Sequence, residues 1–139
     1  MAMTIHVDIV SAEESIFSGR AEMVFAPAQM GEVGIAPQHT PLLSPLKAGA
    51  VRVKIDENTE KDYFISGGIL EVQPSVVTIL ADTATRAKDL DEAKAKEMKK
   101  KAEKKLKDHD SVTDMAAAQA ELIESLAQLE LIAKLRNRR

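Results

Sequence analysis

Residues 74–93 read PSVVTILADTATRAKDLDEA, and the character of the chain changes inside them. Pro74 is the last of five prolines, Gly68 is the last of six glycines, and the final 65 residues hold neither. Glycine and proline punctuate turns, and their absence over so long a stretch permits uninterrupted helix. The first half of the quoted stretch, Val76 to Ala81, reads as a strand. From Asp89 onward the spacing of apolar residues becomes helical.

Upstream of the change, apolar and polar residues alternate. Met3, Ile5, Val7 and Ile9 alternate with Thr4, His6 and Asp8, which argues for a half-buried strand. A turn is expected around Ser18-Gly19, after which Ala21, Met23 and Phe25 alternate with Arg20 and Glu22. Gly31 to Pro37 reads as a turn with a short extended piece. Val51, Val53 and Ile55 form another strand, and Glu57-Asn58-Thr59-Glu60 returns the chain into Tyr63-Phe64-Ile65 as a hairpin does. Gly67-Gly68 and Pro74-Ser75 bracket a strand from Ile69 to Gln73. Turns at such short intervals favour an antiparallel sandwich or barrel over βαβ units.

Downstream, Asp89 or Asp91 is placed to cap a helix. Ala95, Met98, Ala102 and Leu106 form a narrow stripe, half of it alanine, flanked by lysines. The pattern breaks at His109-Asp110-Ser111, where Ser111, Thr113 or Asp114 is placed to start a second helix. There Met115, Ala118, Leu122, Leu126, Leu129 and Ile132 are expected on one face. The fold class is thus α+β in two parts: an N-terminal antiparallel β-sandwich over residues 1–86 and a C-terminal two-helix antiparallel hairpin over residues 87–139. The hairpin seam is shallow and is expected to be a weakly held element, able to open or dock elsewhere.

Composition narrows the function. With no cysteine there is no disulfide framework, thiolate nucleophile or cysteine-based zinc site. The opening Met-Ala-Met-Thr-Ile-His-Val has no basic region followed by an apolar run, so no signal peptide is expected. No apolar stretch reaches the roughly 18 residues of a membrane span. The net charge of −3 conceals an acidic body and a basic arm: five Lys/Arg against eleven Asp/Glu in residues 1–84, and fourteen against eleven thereafter. Such an arm is suited to an acidic surface, although lysines also solvate ordinary exposed helices.

Catalytic patterns are missing. His6, His39 and His109 are widely separated, with no i, i+4 pair to suggest a metal site. His6 reads as solvated on a polar strand face, His109 as a turn residue, and His39 as a loop residue presented outward between Pro37 and Pro41. Ser66-Gly67-Gly68 superficially suggests a phosphate loop, but no helix start or Gly-Lys-Ser/Thr follows, so a tight turn or bulge is expected. Gly31 and Gly34 are a similarly weak signal, and Glu13, Glu14 and Asp82 have no identifiable partner base. Lys99, Lys100, Lys101, Lys104, Lys105 and Lys107 suit phosphates, yet every aromatic residue (Phe17, Phe25, Tyr63, Phe64) lies in the acidic part, which disfavours nucleic acid.

Taken together, several segments are similar to one known family. Val7 to Glu13 with Phe17-Ser18-Gly19 resembles the opening of the epsilon subunit of bacterial F-type ATP synthase. Gly31-Glu32-Val33-Gly34-Ile35 with Pro37, His39 and Pro41-Leu42-Leu43 resembles its central loop motif. Ser66 to Val72 and Val77 to Asp82 match its last strands, and Asp89 to Ala93 the start of its helices. The resemblance spans nearly the whole chain in the right order.

It implies a non-catalytic subunit of a proton-translocating ATP synthase, at the cytoplasmic face of the bacterial inner membrane and peripheral to it. The implied partners are the gamma subunit, the c-subunit ring and, through the C-terminal helices, the alpha/beta hexamer. In that family the hairpin folds back or extends, and the extended form inhibits ATP hydrolysis. By position, Glu32 is expected to face the c ring, and Ser11 and His39 to lie near gamma. Lys134, Arg136, Arg138 and Arg139 are expected to meet an acidic beta surface, though they equally suit the helix dipole. Members that bind ATP carry Ile/Leu-Asp-x-x-Arg-Ala, whereas here Leu90-Asp91-Glu92-Ala93-Lys94-Ala95 substitutes Lys94 for the arginine. Lysine lacks the planar, bidentate fork. No cofactor is therefore expected, ATP binding is expected to be weak or absent, and Asp91, Lys94 and Lys101 are the candidate contacts. The alternative is a free-standing ligand-binding sandwich with a dimerising helical tail, against the monomer expected of the leading reading.

Overall fold

The alternation in the first strand becomes burial. In a computed structural model, which describes residues 3–107 and 112–137 (112–114 by backbone alone), β1 (Ile5–Ser11) turns Ile5, Val7 and Ile9 wholly inward. The same logic builds β2 (Ser15–Ala21), β3 (Met23–Ala28), β4 (Gly31–Ile35), β5 (Leu42–Leu46) and β6 (Gly49–Lys54). It continues through β7 (Glu60–Ile65), β8 (Gly68–Val72), β9 (Val76–Ala81) and the short β10 (Ala84–Arg86).

The strands form one sheet in the order β10-β7-β6-β3-β5-β8-β9-β1-β2, with β4 paired to β3. Among the described residues the pairing of β1 with β9 is parallel and every other pair is antiparallel. The two ends of the order approach one another: Arg86 Nη2 on β10 donates to the Ile16 carbonyl on β2 at 3.4 Å. Phe17 on β2 and Tyr63 on β7 also bring their ring centroids to 5.9 Å. The sheet therefore nearly closes into a β-sandwich around one core that includes Ile9, Val24, Val53, Ile65, Leu70 and Ile79.

Two local expectations fail and one strand carries no sequence signal, each for a physical reason. Ser18 and Gly19 lie inside β2, not in a turn. The reversal comes earlier, where Ser11 Oγ accepts from the Glu13 and Glu14 amides at 3.4 and 3.3 Å while the Ser11 amide donates to the Glu14 carbonyl at 2.9 Å. Further on, Val24 and Ala26 face the core instead of Met23 and Phe25, because the chain bends at Glu22 and shifts its phase by one residue. The strand β5 was unmarked by alternation and carries Pro45. It pairs along its length with β8 but, among the described residues, meets β3 only at Ala28 and Leu46, so the missing amide has little ladder to break on that flank.

Residues divide into Met1–Lys88 and Asp89–Arg139 as two compact units. In the second, α1 (Glu92–Lys107) and α2 (Val112–Asn137) pair as an antiparallel hairpin. Asp91 is the cap, accepting from the amides of Ala93 at 2.9 Å and Lys94 at 3.3 Å. Thr113 and Asp114 fall inside α2, and Ser111 and His109 lie outside the described residues.

Ala95, Ala102, Ala118 and Ser125 are all fully buried, two heptad-spaced pairs of small residues. The expected face of α2 is corrected here: Leu126 is 43% exposed and Ser125 takes its place. Cross-helix ion pairs Lys105–Glu121 and Arg136–Glu92 set a register that puts Ala102 opposite Ser125, where a close approach selects small side chains. The Ser125 hydroxyl is satisfied within its own helix, donating to the Leu122 carbonyl at 2.9 Å.

Gly68 tests the closeness of the sheet. It sits at φ +150, and a Cβ placed there would lie 2.1 Å from the Leu80 carbonyl oxygen, whereas one on Gly31 at φ +132 meets nothing within 4 Å. Gly31→Ala is expected to cost only backbone strain of about 1–3 kcal/mol. Gly68→Ala is expected to add a further ~1–3 kcal/mol of overpacking, measured as the difference between the two variants in urea unfolding.

Candidate functional site

The β3–β4 hairpin carries the most organised charge in the sandwich. Its tip places Met30 fully in solvent, and Glu32, the second residue of β4, follows immediately. Across β3, Arg52 on β6 reaches Glu32 with Nη2 at 2.8 Å and Glu60 on β7 with Nη1 at 3.3 Å. Its guanidinium carbon also lies 4.2 Å from the centroid of the Phe25 ring. Burial works to lower the Arg52 pKa, but Glu32, Glu60 and Asp62 outweigh it and hold the cation more firmly than usual. Glu32 thus stands in a strand, oriented by an arginine. Sequence reading missed this arginine. Its one available signal was position in the β6–β7 hairpin, where Arg52 and Glu60 lie on facing strands.

A second polar group lies on β1 and β2. His6 Nε2 contacts Asp8 Oδ1 at 3.0 Å, and the Ser18 hydroxyl donates to the same oxygen at 2.7 Å. The Ser18 hydrogen bond is the main cause holding the Asp8 carboxyl below its ordinary value, with burial opposing and His6 assisting. His6 is therefore a paired residue, not merely a solvated one. The three side chains sit on the outward face and converge on one carboxylate oxygen, which makes a surface brace and leaves no aligned nucleophile.

Ser11 and His39 occupy opposite ends of the strands. From Ser11 the register runs through Ala81, Gly68, Leu46 and Ala28 to Gly31, the end that also bears the β3–β4 tip. His39 belongs to the other end, where the neighbouring Gln38 amide donates to the Pro74 carbonyl at 3.0 Å. His39 Nδ1 itself donates to the Thr40 carbonyl at 2.6 Å. Between these ends, on the outward face, Ile69 and Leu80 are register partners left 46% and 48% exposed, with Leu43 beside them in β5.

In the helical unit Asp91 is engaged as the cap, while Lys94 is exposed and Lys101 pairs with Glu97 at 3.4 Å. Lys134 pairs with Glu130 at 3.5 Å, and Arg136 bonds Glu92 across the hairpin. That bond is the leading cause holding the Glu92 carboxyl below the usual range, helped by Lys96. Arg138 and Arg139 lie outside the described residues. Among the described residues no group of three or more His, Cys, Asp or Glu is placed to hold a metal ion, and no helix is long and apolar enough to cross a membrane.

Comparison with known proteins gives this arrangement a class. The family model for the ATP synthase delta/epsilon chain β-sandwich domain matches residues 4–87, and that for the long α-helix domain of the same chain matches residues 88–133. Together they define a class of ATP synthase subunits built as a sandwich followed by helices. The ATP synthase epsilon chain of Thioalkalivibrio sulfidiphilus is 64% identical over 98% of this chain and 97% of its own. That of Nitrosomonas eutropha is 61% identical over 100% and 99%. A chain in the Euglena gracilis mitochondrial ATP synthase (OSCP/F1/c-ring) shares the fold with a TM-score of 0.72 at 22% identity, covering 97% of this chain and 81% of that one. The chain belongs to the ATP synthase delta/epsilon family, on its bacterial F-type epsilon branch.

The Arg52 junction has a measurable worth. Arg52→Ala removes two partly exposed ion pairs and a cation–π contact, for an expected loss of about 1–2 kcal/mol in chemical denaturation. Arg52→Lys is expected to recover less than half of it, since a point charge does not bridge two carboxylates and cover a ring together.

Proposed function

We infer that the chain is a non-catalytic central-stalk subunit that couples gamma to the c ring and restrains ATP hydrolysis through movable C-terminal helices. The observation that carries this is the seam of the hairpin: three alanines and a serine are its fully buried residues, and Leu131, at 4% exposure, is the one large side chain among the described residues that joins them. Small side chains bury little apolar area, so such a seam is worth on the order of a few kcal/mol. By contrast, the core of the sandwich is drawn entirely from its own strands. One unit is suited to stay anchored while the other changes its contacts.

The surface fits this division. A partner that meets both Ser11 and His39 must lie along the strands, over the exposed Ile69–Leu80 pair and Leu43, which supplies apolar area for gamma. Glu32 and the Met30 tip project from the Ser11 end and suit the c ring. Lys134 and Arg136, with Arg138 and Arg139, give the last helix the charge to meet an acidic surface of the alpha/beta hexamer. The c ring would then hold the subunit at the cytoplasmic face of a bacterial inner membrane, peripheral to the bilayer.

Removing residues after Ala87 and rebuilding the complex tests the brake. Assembly is expected to persist while hydrolysis rises, and unchanged hydrolysis in a complete complex refutes the inhibitory role. For ATP, the cap engagement of Asp91 and the substitution by Lys94 support absent or weak binding. Titration of the purified chain with millimolar ATP is expected to give no saturable signal. Tight binding abolished by Lys94→Ala would refute it.

A further inference from the structure

The hairpin has one covalently linked end and one free end, and the charged contact at the free end is out of proportion to its sequence distance. Glu92 is the first residue of α1, and Arg136 lies in the last turn of α2, 44 residues further on, yet the two side chains bond directly. Lys105 and Glu121, only 16 apart, make the corresponding pair near the link. At the linked end the chain itself keeps the helices close. At the free end only side chains do.

We propose that Glu92 and Arg136 form a latch that holds the free end of the α1–α2 hairpin shut and must break before α2 leaves α1. This rests on the brake reading above and assigns its control to two named residues. Both charges also sit where the helix dipoles favour them, a carboxylate at the start of α1 and a guanidinium at the end of α2. An antiparallel pair brings those two helix ends side by side, so the latch costs neither helix anything.

The exchange is reversible because neither charge is stranded. Glu92 keeps Lys96 at 3.2 Å, one turn along the same helix, after Arg136 departs. Arg136 is 65% exposed and is free to take another carboxylate on release. An acidic partner surface that engages Arg136 therefore competes directly with Glu92, and opening and docking become one exchange of ion pairs. A pair this exposed is worth little in water, which suits a catch that must yield to a partner.

The chain has no cysteine, so labels introduced by Ala93→Cys and Ala133→Cys report the distance between the helix ends without interference from its other residues. The full-length labelled chain is reassembled into the ATP synthase and the ratio of separated to paired helix ends is read by spin-label distances. Glu92→Gln is expected to raise that ratio about two- to fivefold, and adding Arg136→Gln, which removes the docking pair together with the latch, to raise it no further. No shift, or a further rise in the double variant, overturns the latch. Hydrolysis measured on the same samples keeps the two readings apart. Separation that rises without a change in hydrolysis leaves the latch standing and removes the brake. An unmoved distance in a complex whose hydrolysis responds to truncation does the reverse.

Discussion

The parallel pairing of β1 with β9 is the constraint on which the rest depends. It joins the first strand to the last long one, with Val7 beside Val77 and Ile9 beside Ile79, all four fully buried. Without it the sheet would end in two exposed edges, and its inner face would be open to water. With it, β2 is carried round until Phe17 meets Tyr63 and Arg86 reaches Ile16. The sandwich thereby completes a core drawn from its own strands.

Charge is arranged differently in the two units. In the sandwich, Arg52 gathers Glu32, Glu60 and the Phe25 ring into one junction across the β3–β4 hairpin. A carboxylate presented by such a junction has a fixed direction and loses little side-chain freedom on meeting a partner. In the helices the ion pairs are mostly i, i+4 contacts such as Glu92–Lys96 and Glu97–Lys101, which form and break at little cost. One unit presents charge as a fixed template, the other as an exchangeable supply.

The two-part division was legible because glycine and proline vanish after Pro74, as were β1 and β6 from clean alternation and β8 and β9 from the turn residues that bracket them. Legibility failed where tertiary pairing outweighs local pattern. Glu22 resets the phase of β3 by one residue, and β5 holds Pro45 because its β3 flank is nearly unpaired. Ser125 replaces Leu126 at the seam because close helix approach favours small side chains over apolar ones. Of the candidate site residues, Asp91 as a cap followed from chemistry at the end of a helix. The Arg52 junction and the Glu92–Arg136 contact did not, because each joins residues that only the register brings together. The family resemblance supplied what spacing could not, namely the assembly in which the chain works.

The internal hydrogen bond of Ser125 has a consequence for the movement proposed for α2. A buried hydroxyl that depended on α1 would be left without a partner when buried again against an apolar neighbour, a penalty of about 1–3 kcal/mol. Because it is satisfied by Leu122 of the same turn, α2 would carry no unpaired hydroxyl into a new apolar contact. The surface it offers to any new neighbour is chemically complete, so the helix is portable between hosts.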